Sequence, residues 1–186
     1  MTEWRCFIAV PIRDQLRAAL SSAVDAWRGS PGTEDLRWTD ASGWHATLAF
    51  LGSTDPRRVH ALADTLADLA ARFAPFTLAT GGLGGFPSAR AARVVWYGIE
   101  DPEGRLAAVA SAVRQAVGLA DDQPFRAHLT LARARGQGRA RMELAAPAPA
   151  GTLRVDELVL YRSLLGQGPA LYEPLAVARL GVPVIV

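Results

Sequence analysis

The sequence predicts an α+β fold organised as one domain over residues 1–186. Short extended apolar runs are interspersed with a few stretches of helical spacing, without the regular strand–helix–strand rhythm of a parallel sheet. No linker rich in proline, glycine or serine separates two independent units. Half of the residues are apolar and a fifth are charged, enough to bury an ordinary core without metal or cystine staples.

Each element follows from its own pattern. Arg5 to Val10 is an apolar run ended by Pro11, a first strand. Asp14 to Trp27 places Leu16, Leu20, Val24 and Trp27 at helical spacing, with Asp14 as a candidate N-cap, and Gly29 to Gly32 breaks it. Leu36 to Trp38 and Trp44 to Leu51 read as extended. A turn from Gly52 to Pro56 opens a second helix, Pro56 to Phe73, with Val59, Leu62, Leu66 and Leu69 on one face. Strands are expected over Phe76 to Leu83 and Val94 to Ile99, joined by a loop over 84–93, and a third helix over Glu103 to Val117. Phe125 to Ala132, Leu153 to Ser163 and Leu171 to Leu180 complete the strands. The segment 133–151 reads as a loop, mobile around Gly136-Gln137-Gly138, and Gly166 to Pro169 separates the last two strands. The run Gly81-Gly82-Leu83-Gly84-Gly85 is no dinucleotide fingerprint, because Phe86-Pro87 cannot open a helix; a turn with positive φ is expected there.

Composition excludes several chemistries. All 20 basic residues are arginine, which removes P-loop, Schiff-base, lysyl-nucleotide and kinase-type sites. One cysteine and three histidines leave no tetrahedral Cys/His zinc site and no internal disulfide, and no metal or cofactor is expected. Cys6, inside a core strand, reads as an inert small hydrophobe. A net charge of +2 is too small to argue for nucleic acid by itself. The N-terminus shows no signal-peptide pattern and no apolar run reaches membrane length, so a cytoplasmic protein without membrane contact is expected. The absence of a long heptad pattern favours a monomer, with 182–186 as a docked strand or a small contact patch.

One echo carries most of the functional information. His45-Ala46-Thr47-Leu48-Ala49 and His128-Leu129-Thr130-Leu131-Ala132 share His-x-Thr-Leu-Ala, one copy in each half, and both lie in expected strands. Residues i and i+2 of a strand share a face, so each histidine stands beside its threonine while Leu48 and Leu131 point into the core. If a pseudo-twofold relates the halves, the two pairs meet across one groove. Imidazole takes and gives protons near neutrality, so two of them can divide general base and general acid work at one phosphodiester. Threonine hydroxyls can donate to the non-bridging oxygens. His60, on a helix and without a threonine, reads as a surface residue.

Together with Arg5 to Pro11, Arg37-Trp38, Gly81 to Ser88, Pro124 to Arg133, Val155 to Ser163 and Tyr172 to Leu175, these motifs resemble the two-histidine (2H) phosphoesterases. The resemblance is to the bacterial RNA 2′,3′-cyclic phosphodiesterases, also called 2′-5′ RNA ligases. It implies a bilobal α+β fold, with antiparallel sheets lining a central cleft and helices outside. It also implies metal-independent opening of RNA 2′,3′-cyclic phosphate ends, tRNA fragments among them, to 2′-phosphomonoesters. By the same resemblance His45 is the general acid at the 3′ oxygen, His128 the base that activates water, and Thr47 and Thr130 hold the phosphate. Arg133 and Phe50, each five residues after its histidine, would flank the cleft, Arg133 on phosphate and Phe50 stacked on a base or ribose. Ala46 and Ala127 depart from the family pattern, which usually has a larger apolar residue and a proline there.

Other readings share these residues. Trp38 and Trp44 are core fillers or stacking platforms, and Arg133, Arg135, Arg139 and Arg141 an electrostatic guide or a solvated loop. Besides hydrolysis, the same groups could join RNA ends through a 2′-5′ linkage or act on a small cyclic nucleotide. A module that binds RNA ends without turnover would not need both histidines.

Overall fold

The run Cys6 to Val10 is apolar on both faces, and it becomes β1 (Trp4–Pro11), a strand buried on both sides near the middle of the sheet. In the computed structural model, residues 3–120, 124–136, 148–164 and 170–181 are described. After β1 come α1 (Asp14–Trp27), β2 (Leu36–Trp38), β3 (His45–Thr54), α2 (Val59–Ala70), β4 (Phe76–Phe86), β5 (Val94–Ile99) and α3 (Arg105–Ala116). The chain ends with β6 (His128–Ala134), β7 (Gly151–Val155), β8 (Glu157–Leu164) and β9 (Leu171–Arg179). The expected α+β class holds.

The strands form one sheet of nine among the described residues, in the order β7-β4-β5-β6-β3-β1-β8-β9, with β2 added beside β6. Every pairing is antiparallel. The order reads as two four-stranded lobes, β7-β4-β5-β6 and β3-β1-β8-β9, that meet at the two His-x-Thr strands. Among the described residues only Ala46 and Leu129 pair between those strands, so the two lobes are joined by a short contact at the centre of the sheet.

The helices cover the face opposite the histidines. Leu16, Leu20, Val24 and Trp27 of α1 are buried as their spacing predicts. Leu62, Leu66 and Leu69 turn α2 onto β9 and β8, while Leu106, Val109 and Val113 turn α3 towards β3 and α2. Asp101 starts α3 by accepting hydrogen bonds from the N–H groups of Leu106 (3.2 Å) and Ala107 (2.9 Å). Removing buried leucines such as Leu129 and Leu131 from water contributes roughly 1.5–3 kcal/mol each.

The strands differ from expectation in two main details. The strand expected over Leu153 to Ser163 is two strands: β7 pairs with β4 in one lobe and β8 with β1 in the other. The chain crosses between lobes at Asp156, whose carboxylate pairs with Arg13 and, at 2.8 Å, with Arg154. The glycine run is strand rather than turn: β4 continues to Phe86, with an irregularity between Thr80 and Leu83 where Gly82 takes φ +72°. Much of the expected loop after Arg133, the segment after Leu164 and the C-terminal 182–186 lie outside the described residues.

Two glycines in this region serve close approach. Gly84 has no room for a side chain because the Trp96 indole lies on it, and a Cβ on Gly98 would stand 2.5 Å from the Gly81 carbonyl oxygen. Backbone cannot rotate away as a side chain can. Gly98→Ala is therefore expected to cost about 1–3 kcal/mol, the scale of overpacking, read as a lower urea midpoint at unchanged m-value.

Candidate active site

The pairing of Ala46 with Leu129 fixes the geometry of the site. Both side chains are fully buried, so their neighbours along each strand face the cleft. Extending the antiparallel pairing by one residue either way sets His45 opposite Thr130 and Thr47 opposite His128. Each histidine is thus set opposite the threonine of the other strand.

Strict alternation would then turn the residue five after each histidine, Phe50 or Arg133, away from the cleft. A matched irregularity prevents this. On β3, Thr47 pairs with Ala9 and Ala49 with Ile8, leaving Leu48 without a partner; on β6, Thr130 pairs with Trp96 and Ala132 with Val95, leaving Leu131 without one. Each is a β-bulge, and it buries two consecutive residues, Leu48-Ala49 and Leu131-Ala132. Phe50 and Arg133 return to the cleft side as a result. The carbonyls freed by the bulges are satisfied from outside the strands. Arg114 Nε donates to Leu48 O at 3.2 Å, and the Thr39 N–H and hydroxyl both donate to Leu131 O at 2.8 Å.

Both imidazoles are held alike. Nδ1–H of His45 donates to the Gly43 carbonyl at 2.6 Å, and Nδ1–H of His128 donates to the Arg126 carbonyl at 2.6 Å. A carbonyl can only accept, so the proton of each neutral ring sits on Nδ1 and Nε2 is left with its lone pair. Their surroundings differ. His45 stacks on Phe7 (centroids 4.6 Å apart), meets Tyr172 edge-on at 5.1 Å and lies 6.0 Å from Tyr161. Tyr172 comes this close because position 43 is glycine; a Cβ there would stand 2.9 Å from its ring. His128 meets Phe86 edge-on at 5.1 Å and Trp96 at 6.3 Å.

Burial in this aromatic box pushes the His45 pKa down to about 4, with the charges of Arg133 and His128 adding to the shift and the Gly43 bond opposing it. Burial, aided by the Arg133 charge, also lowers His128 below its ordinary value. Both rings are therefore neutral in the free protein at pH 7.

The cleft has two parts, of about 570 Å³ on the His45 side and about 750 Å³ on the His128 side. Thr47, Phe50, Thr130 and Arg133 line both and mark the junction. All six side chains singled out from the motifs thus border one cleft. Trp38 lines it too, half-buried, whereas Trp44 is core and donates its indole N–H to Thr39 at 2.8 Å. His60 lies exposed on α2, 3.8 Å from Asp64. Cys6 is buried, and burial raises its pKa. Sequence reading gave no role to Phe7, Tyr161, Tyr172, Phe86 and Trp96 around the rings, nor to Thr39 behind a bulge; the one available signal was that most stand in the segments carrying the resemblance. Among the described residues, no three His, Cys, Asp or Glu side chains gather as a metal site, and no helix is long and apolar enough to cross a membrane.

The chain is similar to known proteins over most of its length. An RNA 2′,3′-cyclic phosphodiesterase of Geobacillus stearothermophilus is 35% identical over 185 residues, 95% of this chain, although the chain spans only 58% of that relative's length. One from Methanothermobacter thermautotrophicus is 29% identical over 95% of this chain and 98% of its own. The crystal structure of Escherichia coli LigT in apo form superposes with a TM-score of 0.75 at 28% identity, covering 97% of this chain and 99% of LigT. LigT complexed with 3′-AMP gives 0.74 at 28% identity, covering 96% and 98%. The sequence profile of the 2′-5′ RNA ligase superfamily matches residues 14–167, and the chain belongs to that superfamily.

Proposed function

We propose that this protein opens 2′,3′-cyclic phosphate ends of RNA to 2′-phosphomonoesters, without a metal, by paired histidine acid–base catalysis. The observation that carries the reading is the antiparallel pairing of Ala46 with Leu129, whose register sets His45 opposite Thr130 and Thr47 opposite His128. A phosphate placed between the rings meets one Nε2 on each side. One imidazole takes a proton from water as its oxygen attacks phosphorus. The P–O3′ bond breaks, and the other imidazole, protonated, gives its proton to the departing 3′ oxygen. Thr47 and Thr130 donate to the non-bridging oxygens, and the Arg133 guanidinium offsets the charge that develops. Phe50, 61% exposed beside them, offers a ring for a base or ribose. The resemblance makes His45 the acid and His128 the base. The relatives named for this activity, and the 3′-AMP bound by LigT, support the substrate class.

The test is an oligonucleotide ending in a 2′,3′-cyclic phosphate, incubated with the protein and a chelator. A 2′-phosphate product formed at the same rate with and without chelator is expected, read by phosphorus NMR. A 3′-phosphate product, or loss of turnover with chelator, would overturn the reading. The second part of the cleft favours one additional reaction. Its 750 Å³ next to His128 is more than a water molecule needs, so an RNA 5′-hydroxyl could attack in place of water and form a 2′-5′ linkage by the same proton transfers.

A further inference from the structure

β2 is only three residues long, yet it is held firmly on β6. Leu36 and Trp38 pack with Ala92, Val95 and Ala132 in a small separate core, and Thr39 bonds to Leu131 just beyond them. Its middle residue, Arg37, is paired directly with Arg133. Directly opposed residues of an antiparallel pair share a face with Cβ atoms about 4.5–5.5 Å apart, and like charges there are destabilising. Both arginines are exposed and both line the cleft. Among the described residues neither pairs with a carboxylate. The carboxylate that shares their part of the cleft, Asp40, is engaged by the N–H (2.9 Å) and hydroxyl (2.5 Å) of Ser42. The fold therefore roots two arginines directly opposite one another on adjacent strands, with neither paired to a carboxylate among the described residues.

We propose that Arg37, together with Arg133, holds a second phosphate, the one on the 5′ side of the terminal nucleotide, so that the site selects a phosphate-extended end over a lone cyclic nucleoside monophosphate. This rests on the phosphodiesterase reading only for the position of the reacting phosphate. Arg133 stands between the two sites: its charge reaches both imidazoles, while its strand neighbour Arg37 lies one strand further out. A phosphate there replaces repulsion between the arginines by two charge-assisted contacts, and Arg37 is free to fork onto it.

The test measures binding, not turnover, so it is decided separately from the product assay above. Wild type and Arg37→Gln are titrated calorimetrically with adenosine 3′-phosphate, adenosine 3′,5′-bisphosphate and adenylyl-adenosine 3′-phosphate, none of which carries the cyclic ester. Wild type is expected to bind the latter two about tenfold more tightly than the first, the scale of one charged hydrogen bond. Arg37→Gln should abolish that advantage, leave adenosine 3′-phosphate within about twofold, and reduce the salt slope for the dinucleotide by about 0.7. A gain for the bisphosphate alone would identify the second phosphate as a mononucleotide's own; a gain for both would identify the RNA chain. Equal affinity of wild type for all three ligands, or an equal loss for all three in Arg37→Gln, overturns the proposal. The melting temperature separates binding from structure: the variant should melt no lower than wild type, because a repulsion has been removed, whereas a structural Arg37 would lower it.

Discussion

Alanine in place of His128 is expected to slow opening of the cyclic phosphate by about 10²- to 10⁴-fold, the range for losing a positioned proton-transfer group. Replacing His45 should cost a similar factor. His45 also packs against Phe7, Tyr161 and Tyr172, so glutamine is the better substitution there, keeping volume while removing the titrating ring. The double variant His45→Gln/His128→Ala should lose little more than the worse single one, since an acid without a base completes no turnover and the two act as a unit. Thr47 and Thr130, with Arg133, remain to bind phosphate, so affinity for adenosine 3′-phosphate should survive in all three. Single-turnover rates and calorimetry on the same preparations separate these effects. Unchanged turnover in either single variant removes the catalytic assignment and leaves a module that binds RNA ends.

The duplicated motif was legible because it is local. A strand writes its two faces into every second residue, and His-x-Thr repeats that spacing in both halves. The helices were legible for the same reason, their buried faces following spacings of three and four. The bulges were not. Leu48-Ala49 and Leu131-Ala132 look like ordinary apolar pairs, and only the partner strands show that Leu48 and Leu131 lack an opposite residue. The clefted face could therefore be assigned from alternation as far as Thr47 and Thr130, whereas the return of Phe50 and Arg133 to it is a property of pairing. The division of Leu153 to Ser163 was hidden likewise: both pieces are strand, and nothing local marks Asp156 as the crossing between lobes. The aromatic box around His45 draws on β1, β8 and β9, whose adjacency is set by topology.

That box has a consequence for pH. Catalysis by the pair needs one ring protonated and one neutral. In the free protein His45 titrates at about 4, and His128 below its ordinary value near 6.5. Below about 4 both rings carry protons and the base is lost; as pH rises past the His128 pKa both are neutral and the acid is lost. The profile of kcat/KM, which reports the free enzyme, should therefore be a bell on the acid side of neutrality, falling about tenfold per unit on its alkaline limb. In that window the proton rests mainly on His128, because His45 is the ring packed among three aromatic neighbours. For His45 to act as the acid, the incoming phosphate has to recharge it: an anion beside an imidazolium stabilises the charged form and raises its pKa. The kcat profile, which reports the bound complex, should then lie to the alkaline side of the kcat/KM profile. Arg133→Gln supplies the matching sign in the free protein. It removes a positive charge that lowers both rings, so the alkaline limb of kcat/KM should move upward in pH even as the rate itself falls. A kcat/KM bell centred above pH 7, or a limb that Arg133→Gln moves downward, would show that the proton inventory of the cleft is not set by burial and the Arg133 charge.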